Sequence, residues 1–157
     1  MKRVYLEVVA LVERLHRQFL EVVKTEIDRM GIHDVNNVQA MILYHIGSEE
    51  LTVGELTQRG YYLGSNVSYN LKKLIEHAYI AQARSPHDRR SVRIKLTPKG
   101  LELHGRLDAI FQQHSAHLEK TELAAGDLND VSATLRQLEQ FWDGRLSAGA
   151  FALNTAA

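Results

Sequence analysis

Three observations predict a mainly α chain with a small antiparallel β-hairpin. Six stretches repeat apolar side chains at intervals of three and four, the stripe of a helix with one buried face. Val92, Ile94 and Leu96 alternate with Arg93 and Lys95, the period-two pattern of a half-buried strand whose outer face is cationic. The segment leading into that strand, Pro86-His87-Asp88-Arg89-Arg90, starts with a fixed φ and a missing backbone donor and ends with two permanent positive charges, as suits a tight basic turn.

In chain order, the first helix spans about residues 4–30. There Val4, Val8, Leu11, Leu15, Phe19, Val22 and Met30 share a face that Val12, Val23 and Ile27 widen, and Gly31 breaks it. A second helix starts near Asp34 or Asn36, both good caps, carries Val38, Met41, Ile42 and Ile46 inward, and stops at Gly47. Thr52 caps a short helix through Val53, Leu56 and Thr57 that ends at Gly60. Ser65 caps the next one. Its Val67, Leu71 and Leu74 fall at i, i+4 and i+7 to face a core, which leaves Ser65, Asn66, Ser68, Tyr69, Lys72 and Lys73 opposite. Two short helices joined by a Gly-containing link form the pattern of a helix-turn-helix. Strands over 79–84 and 91–97 follow, so the order helix, helix, hairpin is that of a winged helix. Pro98 opens a long helix through Leu101, Leu107, Ile110, Phe111, His114 and Leu118. After a break near Gly126-Asp127, Leu128, Val131, Leu135, Leu138 and Trp142 keep the a/d rhythm of a helix that packs on another helix. Residues 149–157 show no period.

At 157 residues with 45% apolar, the chain has enough to bury for one compact domain, or a small domain with helical extensions. Its formal net charge is zero, but the distribution is uneven. Residues 52–100 hold nine Lys and Arg against three Asp and Glu, +6, and the two flanks together carry −6. A basic middle between acidic arms suits a nucleic-acid partner better than the total suggests. The absence of cysteine excludes disulfides, thiolate zinc sites and cysteine redox switches. Neither a long apolar run nor an unbroken apolar start after Lys2 and Arg3 is present, so no membrane contact is expected and the chain is placed in the cytoplasm, on the nucleoid when bound to DNA. No GxSxG elbow, P-loop, HExxH or dinucleotide fingerprint occurs, so neither an enzyme nor a cofactor is expected. His114 and His117 sit at i, i+3, and His16, His33, His45 and His104 have unknown positions relative to them. Without an acid or thiol at ligand spacing, packing is the better reading and no metal is expected.

Taken together, these elements resemble a MarR-family winged helix-turn-helix transcriptional regulator over nearly the whole chain. The specific part is DRRSVRIKLTPKG, similar to the family's wing pattern at Asp88, Arg90, Leu96, Thr97 and Gly100. SNVSYNLKKLIEHAYI is similar, more loosely, to the recognition helix and the strand after it. Two departures are Ala78, where the family usually has a Gly, and Tyr69-Asn70, where an Arg-apolar pair is common.

The resemblance implies an N-terminal dimerisation helix over 1–33, a DNA-binding lobe over 34–100, C-terminal dimerisation helices over 101–148 and a tail over 149–157. It further implies a homodimeric repressor on a palindromic operator of double-stranded DNA, recognition helix in the major groove and wing in the minor groove. A small-molecule effector would sit between the dimerisation helices and the lobe, lined by His16, Phe19, Met41 and His45. Ser65, Asn66 and Ser68 suit base edges or phosphates, Asn66 or Asn70 suits adenine, Tyr69 suits reading a base, and Lys72 and Lys73 suit phosphates. Arg89 and Arg90 form the wing tip, with Arg90 in the minor groove and Asp88 orienting it. Plainer readings stand beside these: a solvated hairpin tip for Arg89-Arg90, a cap for Ser65, surface packing for Tyr69, and interface core for Phe141 and Trp142. The alternative function is a winged-helix protein-interaction module that does not bind DNA.

Overall fold

The structure, a computed structural model, describes residues 1–60, 64–84, 92–123 and 125–154, with side chains described for all of these except 60, 64, 65, 84 and 147–154. The elements are α1 (Lys2–Arg29), α2 (Asn37–Ile46), β1 (Leu51–Thr52), α3 (Val53–Gly60), α4 (Gly64–Glu76), β2 (Ile80–Arg84), β3 (Val92–Leu96), α5 (Pro98–Leu118) and α6 (Ala125–Asn154). They divide into two compact units, residues 1–110 and 111–157.

In the first unit α2 is enclosed. Ala40, Ile42, Leu43 and Ile46 are buried, and so are Val23 and Ile27 of α1, Leu56 of α3, Val67 and Leu74 of α4, Ile94 of β3, and Leu103 and Leu107 of α5. A helix apolar on nearly every side has to be covered on every side. Its start is fixed by a capping box: the Asn36 side chain accepts from the Gln39 backbone, and the Gln39 side chain accepts from the Asn36 backbone. Asn36, not Asp34, is therefore the cap. Gly47 closes the helix at φ 59°, and Asn37 Nδ2 donates to the Leu20 carbonyl at 3.0 Å, tying α2 to α1.

Thr52 caps α3 in the same reciprocal way with Glu55, its hydroxyl accepting from the Glu55 backbone at 3.2 Å. It has a second role that the sequence does not reveal. Leu51 and Thr52 pair with Ile94 and Arg93, so the antiparallel β2–β3 pair of the wing gains a third strand, in the order β1-β3-β2 with β3 at the centre. Two other elements depart from expectation. Helix α4 starts at Gly64, which puts Ser65 within its first turn, and α6 continues to Asn154 through much of the stretch read as a tail.

The junction after α4 is the tightest in the lobe. Ala78 ends the helix at φ 62°, its N–H donating to the Ile75 carbonyl at 3.0 Å and the Tyr79 N–H to the Leu74 carbonyl at 2.8 Å. That is a Schellman closure, here made by an alanine in the left-handed region that glycine usually occupies. The Thr97 hydroxyl donates to the Ala78 carbonyl at 2.6 Å and accepts from the Gly100 N–H at 3.1 Å, which caps α5 ahead of Pro98. The Thr97 N–H donates to the Tyr79 carbonyl at 3.0 Å. A Cβ on Gly100 would lie 2.2 Å from the Tyr79 carbonyl oxygen, so only glycine lets α5 begin here. The Leu96-Thr97-x-x-Gly100 motif is thus a clasp between α5 and the end of α4.

Two substitutions should move stability in opposite directions in urea denaturation. Gly100→Ala should cost about 2 kcal/mol or more, because backbone has to shift to admit the methyl. Ala78→Gly should add about 1 kcal/mol by removing the left-handed penalty.

Candidate nucleic-acid interface

On α4, Val67, Leu71 and Leu74 are buried as their spacing predicts, and Asn66, Ser68, Tyr69 and Lys72 are exposed on the outside. Tyr69 is 61% exposed, so it does not pack onto the helix in the single chain. Asn70 corrects an expectation. It is buried, and its Nδ2 donates to the Asn66 carbonyl at 2.8 Å, so of the two asparagines only Asn66 can present its amide to adenine. The signal was present in the sequence: residue 70 lies three after Val67 and four before Leu74, on the inward side. The side chain of Ser65, and all of Asp88, Arg89 and Arg90, lie outside the described residues. What is described of the wing is its stem, closed by the Arg84–Val92 pair.

Charge on the lobe is more balanced than the 52–100 window suggests. Arg59 meets Glu49 at 2.6 Å, Arg93 meets Glu50 at 3.0 Å, and Lys99 meets Asp34 at 3.1 Å, in each case an acid from outside that window. Lys73 meets Glu76 at 2.8 Å, with Lys72 at 4.0 Å from the same residue. Across 34–100 the count is nine Lys and Arg against six Asp and Glu, or +3. The partners leave their mark on proton affinity. The hydrogen bond from Arg59 holds the Glu49 carboxyl below its usual range, and that from Lys73 does the same for Glu76. At Asp34 partial burial pushes the carboxyl up, but hydrogen bonds from Tyr79 and Lys99 together outweigh it and hold the group low. All of these pairs are open to solvent, so each is cheap to break. Lys73 and Arg93 can exchange a carboxylate for a phosphate oxygen at little cost.

The four residues expected to line an effector site are spread over two helices. His16 and Phe19 are exposed on α1, whereas on α2 Met41 is buried and His45 half-buried, its imidazole pushed down by burial. None of them lines either of two surface cavities among the described residues. One cavity, of about 370 Å³, lies between α4 and the sheet, lined by Ser68, Leu71, Lys72, Glu76, Val92 and Ile94 among others. Another, of about 290 Å³, lies at the α1–α2 corner beside Lys24, Ile27, His33, Val35 and Asn36. His104 stacks on Tyr44 with ring centres 5.0 Å apart, and the Tyr44 hydroxyl donates to Asp108 at 3.1 Å, a packed contact between α2 and α5. Among the described residues no three His, Asp or Glu side chains converge as a metal site would require, and no helix is long and apolar enough to cross a membrane.

Residues 35–100 match the winged helix DNA-binding domain family. Over 138 residues, 88% of this chain and 71% of the relative, the sequence is 38% identical to the exopolysaccharide II synthesis transcriptional activator ExpG of Rhizobium meliloti. In fold it is similar to Streptococcus pneumoniae FabT, solved in complex with DNA, with a TM-score of 0.69, 20% identity, and 89% of this chain and 98% of that one covered. It is similar also to Staphylococcus aureus MarR, solved with salicylate and kanamycin, with a TM-score of 0.70, 22% identity, and 88% and 92% covered. Helix α4 with its buried and exposed faces, the three-stranded sheet and these likenesses agree, and the chain belongs to the MarR family of winged-helix, DNA-binding transcriptional regulators.

Proposed function

We propose that the chain acts as a homodimer on a two-fold symmetric operator, with α4 in the major groove and the wing tip in the flanking minor groove. The observation that carries this reading is the outer face of α4, where Asn66, Ser68, Tyr69 and Lys72 stand exposed on a helix whose other face is locked into the core. Asn66 and Ser68 offer the short donors and acceptors that base edges need, with Ser65 beside them at the helix start, and Lys72 and Lys73 reach phosphates. Arg90 enters the minor groove, steadied by Asp88, and Arg89 meets the backbone. Symmetry then sets the half-sites about one helical turn, ~34–36 Å, apart. A docking module without DNA binding is not favoured, because the matching family is a DNA-binding domain.

The dimer rests on an uncovered apolar stripe. Val4, Leu11, Leu15, Phe19 and Val22 of α1 are all at least 40% exposed in the single chain, and Leu128, Val131, Leu135 and Phe141 of α6 are exposed as well. Stripes of this length call for a partner, and a second copy is the simple one. Closure of the dimer would also cover His16 and Phe19, and so complete an effector site with Met41 and His45. The effector would release DNA by favouring a different separation of the two recognition helices, which needs a preference of a few kcal/mol between the two states. Staphylococcus aureus MarR, solved with two small molecules, supports this reading.

Repression by occlusion requires only DNA occupancy, and it is the sign we propose. Activation is the second reading, favoured by the activator name of the Rhizobium relative.

Three measurements test these readings. Duplex titration at several salt concentrations should show affinity falling steeply with salt, and Arg90→Ala should lower affinity about tenfold and reduce the salt slope by about one. Wild-type binding that is indifferent to salt would remove the reading. In sedimentation, Leu15→Asp should turn a dimer into a folded monomer; a dimer that survives would place the interface elsewhere. A reporter driven by the bound promoter should rise when the chain is deleted, and a fall would establish activation.

A further inference from the structure

The direction in which α4 presents its outer face depends on how the helix ends, and two other parts of the chain hold that end. The Asp34 carboxylate accepts from the Tyr79 hydroxyl at 2.8 Å and from Lys99 Nζ at 3.1 Å. Lys99 also donates to the His77 carbonyl at 2.9 Å, and its ammonium lies 4.0 Å from the centre of the Tyr79 ring. His77 Nδ1 lies 2.6 Å from the Asp34 carbonyl oxygen; a carbonyl can only accept, so that nitrogen carries the proton. Asp34 stands in the link between α1 and α2, Lys99 in the first turn of α5, and His77 and Tyr79 directly after α4. Because Asn36 caps α2, Asp34 has no part in starting that helix.

We infer that Asp34 is a positioning residue for DNA recognition, latching the end of α4 to the α1–α2 corner and to the start of α5. The inference rests on α4 being the helix that reads DNA. Leverage makes the latch matter. Asn66 lies eleven residues before His77, roughly 16 Å along a helix, so a tilt of about 5° at the latched end moves Asn66 by about 1.4 Å, enough to lose a base hydrogen bond. Stability depends on it much less. The Asp34 and Lys99 side chains remain 43% and 48% exposed, and a pair this open to solvent adds little to folding. Loss of the latch therefore alters where α4 points more than whether the lobe folds. The same latch joins α4 to the α1–α2 corner and to α5, so a displacement of either long helix has a route to the DNA-reading face through Asp34 as well as through the Thr97 clasp.

The whole wild-type chain first selects a preferred duplex from a random-sequence pool. That duplex and a scrambled one are then titrated with wild type, Asp34→Asn and Tyr79→Phe. Both variants should lose about tenfold on the selected duplex. Affinity for the scrambled duplex, and its salt dependence, should stay within about twofold, since phosphate contacts do not need the same aim. Equal losses on both duplexes, or no loss on the selected one, overturn the inference. Tyr79→Phe removes a single oxygen and reads the same split should Asp34→Asn fail to fold. A wild-type chain that selects no duplex removes the DNA-reading role of α4, and the inference with it.

Discussion

Because a methyl group on Gly100 would stand 2.2 Å from the Tyr79 carbonyl oxygen, the start of α5 and the start of β2 meet with nothing but backbone between them. The rest of the lobe is arranged around that approach. It brings the Thr97 hydroxyl to the Ala78 carbonyl, so one side chain both ends the junction after α4 and caps α5. It also sets Lys99 over the Tyr79 ring and within reach of Asp34. Helix α4, the sheet and α5 are thereby referred to one point. Hydrophobic burial around α2 supplies most of the drive to fold, but burial is non-directional and leaves orientation open. The clasp at Gly100 and the capping box at Asn36 supply the direction.

Much of this was legible in the residues. The inward set on α4, the start of α2 at Asp34 or Asn36, the Gly47 stop and the alternation of Val92, Ile94 and Leu96 follow from local periods and local hydrogen bonds, which a single sequence records directly. What was not legible depends on partners distant in the chain. A two-residue strand such as Leu51-Thr52 has no period, and becomes a strand only because β3 arrives beside it. Ion pairs such as Lys99 with Asp34 join residues 65 apart, and no spacing rule anticipates them. Asn70 was misplaced for a different reason: its polarity suggested a contact surface, while its position already assigned it inward. The left-handed Ala78 shows a geometry that glycine usually supplies being held by a residue with a side chain.

Helix α1 serves two structures at once. Val23 and Ile27, near its C-terminal end, belong to the core around α2, while the apolar residues of the preceding turns remain uncovered. At 28 residues it is one continuous body of about 42 Å. A helix of that kind cannot shift its exposed part without moving the part that is packed. The Asn37 bond to the Leu20 carbonyl lies where the two regions meet.

The carboxylates that hold Arg59, Lys73 and Arg93 give the lobe an unusual relation to a polyanion. Wherever one of these cations meets DNA, a phosphate has to take the place of a carboxylate already there, so the contact is a replacement and not an addition. Replacing one anion by another yields little free energy by itself. For these three cations a duplex of arbitrary sequence adds little, and other contacts have to supply the rest.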